Sequence, residues 1–199
     1  MRQPVGVILA GGLARRMGGG DKGLLSLGGE TILARVAGRL GPQVAALALN
    51  ANGDAGRFAA FGLPVLADPV EGHPGPLAGV LAGLDWAKGQ GAGAIVTAAA
   101  DTPFLPCDLV PRLLAAAEDA GTGLALAATA DGRQPTFGLW PVALRDDLAA
   151  ALDGGTRKIV AWTDAHGAAT AEFASDGLDP FFNVNTPDDL ARAEAMLAA

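Results

Sequence analysis

The chain has 199 residues, half of them hydrophobic and 18% charged, which suits one α/β domain with a real core and excludes a disordered segment. Its 14 Lys and Arg stand against 21 Asp and Glu, a net charge of −7, and this excludes a nucleic-acid surface, which needs clustered cations to neutralise phosphates. Any cation that handles phosphate must therefore act locally. Cys107 has no second cysteine to pair with, which fits a reducing compartment. It precedes a helical stretch and reads as a small core residue. No apolar run approaches the roughly 18 residues of a membrane span. The apolar N-terminus runs into Gly11, Gly12, Arg15 and Arg16 and lacks the longer core and cleavage site of a signal peptide. A cytoplasmic protein with no membrane partner is expected.

Val5 to Ala10 is a continuous apolar run ending in Gly-Gly, the pattern of a strand buried on both faces. After a glycine-rich loop, Thr31 stands as N-cap of a helix to Leu40. Val44 to Leu49 is a second strand and ends at Asn50; Asp54 to Phe61 is a short helix; Pro64 to Ala67 is a third strand and ends at Asp68. Leu77, Val80, Leu81 and Leu84 have helical spacing within Leu77 to Lys88. Ala94 to Ala100 is a fourth strand ending at Asp101, and Leu109 to Ala120 is helical. Beyond Gly123, strands are expected over Leu124 to Thr129, Thr136 to Trp140 and Ala168 to Phe173. Helices are expected around Ala143 to Leu152 and from about Thr156 to Ala165. A last helix spans Pro187 to Leu197, with Thr186 as N-cap and Asp188 and Asp189 in its first turn.

This alternation predicts one α/β domain over residues 1–199, Rossmann-like, with a mostly parallel central sheet and helices on both faces. Residues 1–121 form a nucleotide-binding half and 122–199 an acceptor-binding half. In such sheets ligands bind in the crevice beyond the carboxyl ends of the strands. Just after four of the expected strands stand a Gly/Arg/Lys loop, the pair Asn50 and Asn52, Asp68, and Asp101. Each alone is also what a turn selects; together they converge on one crevice.

The first loop runs from Leu9, Ala10, Gly11 and Gly12 through Arg15, Arg16, Met17 and Gly18 to Asp21 and Lys22. Glycines let backbone N–H groups approach phosphate oxygens, while Arg15 can grip two oxygens and Lys22 acts as a point charge. It is not a dinucleotide fingerprint, and Lys22 is followed by Gly23, so it is not a P-loop. Asp68 and Asn50 are candidates for reading a base. Guanine presents N1–H beside an exocyclic amine, a donor pair that a carboxylate accepts and that cytosine lacks. Arg133, Arg157, Lys158, Asn183 and Asn185 are candidates for binding an acceptor. His73 and His166 belong to no metal-binding pattern.

The loop resembles the signature of nucleotidyltransferases that activate sugar phosphates and related acceptors. More closely, Ala14 to Gly19 with Asp21 to Leu25 is similar to the molybdenum cofactor guanylyltransferases. The resemblance continues at Asn50 to Asn52, Pro74 to Gly79, Asp101 to Pro103 and Asn183 to Pro187, in order along nearly the whole chain. It implies a nucleotidyltransferase that joins GMP from GTP to the terminal phosphate of molybdopterin. Leu9, Ala10, Gly11, Gly12, Lys22, Asn50, Asp68 and Asp101 would bind the nucleotide. Lys22, Asp101 and Arg15 would carry the chemistry, with Asp101 holding Mg²⁺. Where related sugar enzymes use a second, late Asp, this chain has Asn183 and Asn185. The alternatives are a CTP-dependent sister enzyme on the same pterin, a sugar-phosphate nucleotidyltransferase, and a non-catalytic nucleotide-binding module. A monomer is expected, in transient contact with molybdoenzymes or other cofactor-biosynthesis proteins.

Overall fold

In the computed structural model, which describes residues 3–11, 21–70, 75–175 and 177–198, Val5–Leu9 forms the central strand β1. Its side chains alternate between two apolar layers, Val5 and Val7 to one and Ile8 to the other, as a strand covered on both faces requires. Lys22–Leu24 is a single 3₁₀ turn, followed by a small hairpin, β2 (Ser26–Leu27) and β3 (Glu30–Thr31). Gly28 and Gly29 form its two-residue loop with φ of 59° and 84°, the left-handed pair that a tight hairpin turn selects. This hairpin lies inside the stretch expected as loop; the Gly-Gly pair is the sequence signal for it.

Helix α1 (Ile32–Leu40) starts where Thr31 Oγ1 accepts from the Ala34 N–H at 3.1 Å. Ile32, Leu33, Val36 and Leu40 are fully buried. A nine-residue helix is marginal alone, and burial of these side chains, at about 1.5–3 kcal/mol each, holds it in place. Strand β4 (Leu47–Asn50) follows, then the expected short helix, which is 3₁₀ over Ala55–Phe61. Strand β5 (Val65–Leu66) precedes α2 (Pro76–Gly89), β6 (Ala94–Ala99) and α3 (Leu109–Ala120). The second half supplies β7 (Ala125–Thr129), β8 (Gly132–Pro141), α4 (Arg145–Asp153), α5 (Ile159–Ala165), β9 (Ala169–Glu172) and α6 (Pro187–Ala198).

One seven-stranded sheet runs in the order β5-β4-β1-β6-β8-β7-β9. Only β8 opposes its neighbours, β6 and β7; the other pairings are parallel. Residues from α1, α3 and α6 cover one face, and residues from α2, α4 and α5 the other. The β6–β8 pairing carries the sheet across the boundary between the two halves of the chain.

Strand β8 begins at Gly132, four residues before the expected start, and it is not regular. Leu126 pairs with Gly138 while the next residue, Ala127, pairs with Gln134. Pro135, Thr136 and Phe137 therefore bulge out of the ladder with β7. Pro135 has no N–H to give a ladder, and bulges are where sheets accept proline and re-aim side chains. Pro135 thus sits where the ladder with β7 is interrupted.

Candidate active site

The carboxyl ends of β1, β4, β5 and β6 open on one cavity of about 410 Å³. Leu9, Ala10 and Gly11 line it from the end of β1, Asn50 and Asn52 from β4, Asp68 from beyond β5, and Ala99 to Asp101 from β6. Lys22, Asn183, Asn185 and Thr136 complete the wall. Of the expected nucleotide and catalytic residues, Gly12 and Arg15 lie outside the described residues, as do Arg16 and His73.

Asp101 follows the last residues of β6, and its backbone carbonyl accepts from the Val184 N–H at 2.9 Å. Thr102 Oγ1 donates to Asn183 Oδ1 at 2.5 Å. The segment Asn183 to Asn185 is thereby laced onto the β6 exit, so both asparagines face the cavity although they lie far along the chain. Lys22 Nζ donates to Asn185 Oδ1 at 2.5 Å and stands 3.8 Å from Asp101 Oδ2. Burial pushes the Asp101 carboxyl above the ordinary carboxylate range, and the charge of Lys22 only partly offsets this.

Asp68, which lines the same cavity, is held by two asparagine amides. Asn50 Nδ2 donates to Oδ1 at 2.8 Å and Asn52 Nδ2 to Oδ2 at 2.7 Å. Asn50 also donates to the Leu66 carbonyl at 3.1 Å, so both its amide protons are used within the protein. Its buried side chain is pressed against α2, where Gly79 alone fits: a Cβ there would lie 2.2 Å from Asn50 Oδ1.

A second cavity of about 350 Å³ is lined by Pro76, Pro135, Thr136, Arg157, Lys158, Ile159 and Val160. Pro76 and Thr136 line both cavities, so the two adjoin at the N-terminus of α2 and the β8 bulge. Arg157 spends part of its guanidinium on the Leu152 and Thr156 carbonyls, at 2.7 and 2.8 Å, while Lys158 is exposed. Arg133 is not brought to either cavity; it forms a two-pronged pair with Asp164 on the surface. The mutual hydrogen bonding raises the Arg133 pKa and lowers that of Asp164.

Residues 6–169 match the model of the MobA-like NTP transferase domain. The molybdenum cofactor guanylyltransferase of Mesorhizobium japonicum is 55% identical over 201 residues, covering 98% of this chain and 97% of its own. The chain belongs to the molybdenum cofactor guanylyltransferases of the MobA-like NTP transferase family. It is a nucleotidyltransferase. Among solved structures, molybdopterin-guanine dinucleotide biosynthesis protein A from Archaeoglobus fulgidus superposes with a TM-score of 0.75 at 26% identity, covering 98% of each chain. Rv0371c of Mycobacterium tuberculosis, solved in complex with manganese, superposes with a TM-score of 0.66 at 25% identity, covering 97% of this chain and 98% of its own.

Three features of the site have roles that the sequence does not give. Asn52 stands with Asn50 after the second strand, but its grip on Asp68 depends on strand pairing. Thr136 has no sequence signal beyond its place at a strand start. Arg57, whose Nη2 donates to the Asn52 carbonyl at 2.8 Å and whose Nε pairs with Asp21, left no signal beyond its place after Asp54. Cys107, expected in the core, is exposed and accepts from Arg39 at 3.3 Å.

Among the described residues no helix is long and apolar enough to cross a membrane.

Proposed function

We propose that this enzyme transfers GMP from GTP to the terminal phosphate of molybdopterin and releases pyrophosphate, with Mg²⁺ as its metal and the cytoplasm as its compartment. The observation that carries this reading is the cluster of Lys22, Asp101 and Asn185 in the same cavity as the Asp68 carboxylate. A cation and a carboxylate for phosphate chemistry thus share a cavity with an acceptor group suited to guanine.

Asp68 keeps a lone pair on each oxygen after accepting from Asn50 and Asn52, and guanine brings two adjacent N–H donors to meet them. Cytosine would set a ring acceptor against the same carboxylate, and a site built for donors rejects it. Asn50 contributes to base binding through its hold on Asp68. The backbone of Leu9 to Gly11 closes the pocket beside the ribose and phosphates.

Lys22 faces the triphosphate and offsets its charge, and Arg15 serves the same end from the loop. Asp101 is a single carboxylate; among the described residues no group of three or more His, Cys, Asp or Glu stands ready to hold a metal. One partly buried carboxylate beside amide oxygens fits Mg²⁺, which keeps waters and takes its remaining oxygens from phosphates. Held by Asp101, Mg²⁺ would supply charge neutralisation to the phosphates. The acceptor phosphate is already anionic, so no side chain need remove a proton. The protein's work is to align two anions and screen their repulsion.

The acceptor enters the adjoining cavity, with Arg157 and Lys158 toward its phosphate and Pro76 and Thr136 at the junction. Asn183 and Asn185 serve the acceptor from the nucleotide side. The acceptor-binding half over residues 122–199 therefore includes the β8 bulge. Arg133 takes no part from its position beside Asp164. The enzyme acts as a monomer, with molybdoenzymes and cofactor-biosynthesis proteins as transient partners. The test is pyrophosphate release from GTP and molybdopterin before and after chelation. Activity abolished by EDTA and restored by Mg²⁺ supports the reading; full activity in EDTA overturns the metal's part in it.

A further inference from the structure

Asn52 holds Asp68 at both ends. Its Nδ2 donates to Asp68 Oδ2 at 2.7 Å, and its Oδ1 accepts from the Asp68 backbone N–H at 2.9 Å. This two-point clasp fixes the plane of the carboxylate relative to its own backbone, and with Asn50 on the other oxygen the side chain has no free rotation left. Asn52 is in turn anchored through its carbonyl, which accepts from Arg57 Nη2 at 2.8 Å. The same guanidinium pairs with Asp21, the residue before Lys22, and lies 4.4 Å above the Phe58 ring in the cavity wall. Without the clasp, Asp68 stands in a loop after a two-residue strand and would sample several rotamers.

We propose that Asn52 is a positioning residue for base selection: it sets the Asp68 carboxylate at the angle at which both oxygens meet the two N–H donors of guanine. The inference rests on Asp68 reading the base. A carboxylate held in one plane gains two aligned charge-assisted hydrogen bonds, while a rotating one gains about one at a time. The exocyclic amine of guanine is then the group whose recognition depends on Asn52. Inosine triphosphate, which lacks only that amine, measures it. Arg57 maintains the same geometry one step further out and ties it to the segment that carries Lys22.

The experiment is calorimetric binding of Mg²⁺-GTP and Mg²⁺-ITP to the whole protein without acceptor, so that no turnover occurs. Asn52→Ala, Asn52→Asp and Asp68→Ala are compared with the wild-type chain. Asn52→Asp keeps the oxygen that accepts from the Asp68 N–H, replaces the donor by a second oxygen and adds a negative charge beside the Asp68 carboxylate. The wild-type protein is expected to prefer GTP over ITP by about tenfold or more, the value of a hydrogen bond to a charged group. Both Asn52 variants should cut that preference to a few-fold at most, with ITP affinity changed far less than GTP affinity. General damage to the cavity would weaken both nucleotides alike and leave the ratio intact, which would overturn the inference. A ratio lost in Asp68→Ala but kept in both Asn52 variants also overturns it and leaves the reading of Asp68 standing. A ratio kept in all three variants overturns both.

Discussion

Lys22 Nζ stands 3.8 Å from Asp101 Oδ2 while donating to Asn185 Oδ1 at 2.5 Å, a residue 163 positions further along the chain. The cation of the first loop, the carboxylate of the β6 exit and an amide of the segment before α6 thus meet at one point. Burial already holds the Asp101 carboxyl above its ordinary range, so its charge is kept at a cost to stability. Such a charge is what a phosphate-handling site uses.

Asp101→Asn should separate function from stability. Pyrophosphate release is expected to fall by at least about 100-fold, the scale of losing a preorganised electrostatic partner. A carboxyl whose folded pKa is raised is more stable protonated, so a neutral isostere removes a penalty at neutral pH. The midpoint of thermal unfolding should therefore hold or rise. A fall in the midpoint together with activity would mean that Asp101 serves the fold.

Gly79→Ala tests the contact between α2 and Asn50. Alanine is the better helix former by about 1 kcal/mol. Here its Cβ would lie 2.2 Å from Asn50 Oδ1 and 2.8 Å from Leu9 Cδ2, and such overpacking costs about 1–3 kcal/mol. The variant should be less stable and bind GTP more weakly. Gly89→Ala, where a Cβ meets open space, should be neutral or slightly stabilising by chemical denaturation.

Lys158 and Arg133, both expected to bind the acceptor, should divide by position. Lys158→Ala is expected to raise the KM for molybdopterin about tenfold, the value of a hydrogen bond to a charged group. Arg133→Ala, outside both cavities, should change no kinetic constant beyond roughly twofold, as for an ordinary surface position. The reverse order would put the acceptor elsewhere. Steady-state kinetics with varied acceptor decides it.

The entry to α6 predicts a pH dependence of stability. Thr186 Oγ1 accepts from the Asp189 N–H at 3.1 Å, and Asp189 Oδ2 accepts from the Asn185 and Thr186 N–H groups at 3.1 and 3.0 Å. Desolvation pulls the Asp189 pKa up, but hydrogen bonding to Thr186 and to the Asn185 and Thr186 N–H groups, with the nearby charge of Arg192, carries it below the ordinary value. A lowered folded pKa stabilises above the unfolded value, about 4, and the gain is lost as pH falls through the folded value. Asp189→Ala should cost about 1 kcal/mol at pH 7, a helix-cap loss, seen as a melting point lower by about 2–4 °C. The difference from wild type should shrink progressively below pH 4.

Much of this site could be read along the chain, because β1, β4, β5 and β6 are short, mostly apolar runs that end at polar or glycine residues. Asn50, Asp68 and Asp101 are found at strand ends for that reason, and the parallel order then brings them together. What periodicity could not give depends on pairing between distant segments. The register slip that throws out Pro135 to Phe137 and sets Thr136 at the junction of the cavities is a property of β7 and β8 together. The clasp of Asn52 on Asp68 needs β4 beside β5. Charge alone marks Arg133 as an acceptor candidate, whereas its partner Asp164 is supplied by α5. Residue type alone places Cys107 in the core, whereas the turn before α3 leaves it exposed.

The most direct test of the central claim is pyrophosphate release by the whole protein with Mg²⁺ under anaerobic conditions, comparing GTP, CTP, ATP and UTP with and without molybdopterin. Release with GTP alone, and only when molybdopterin is present, is the predicted result. Release with CTP in place of GTP, or release from GTP that does not depend on molybdopterin, would contradict it.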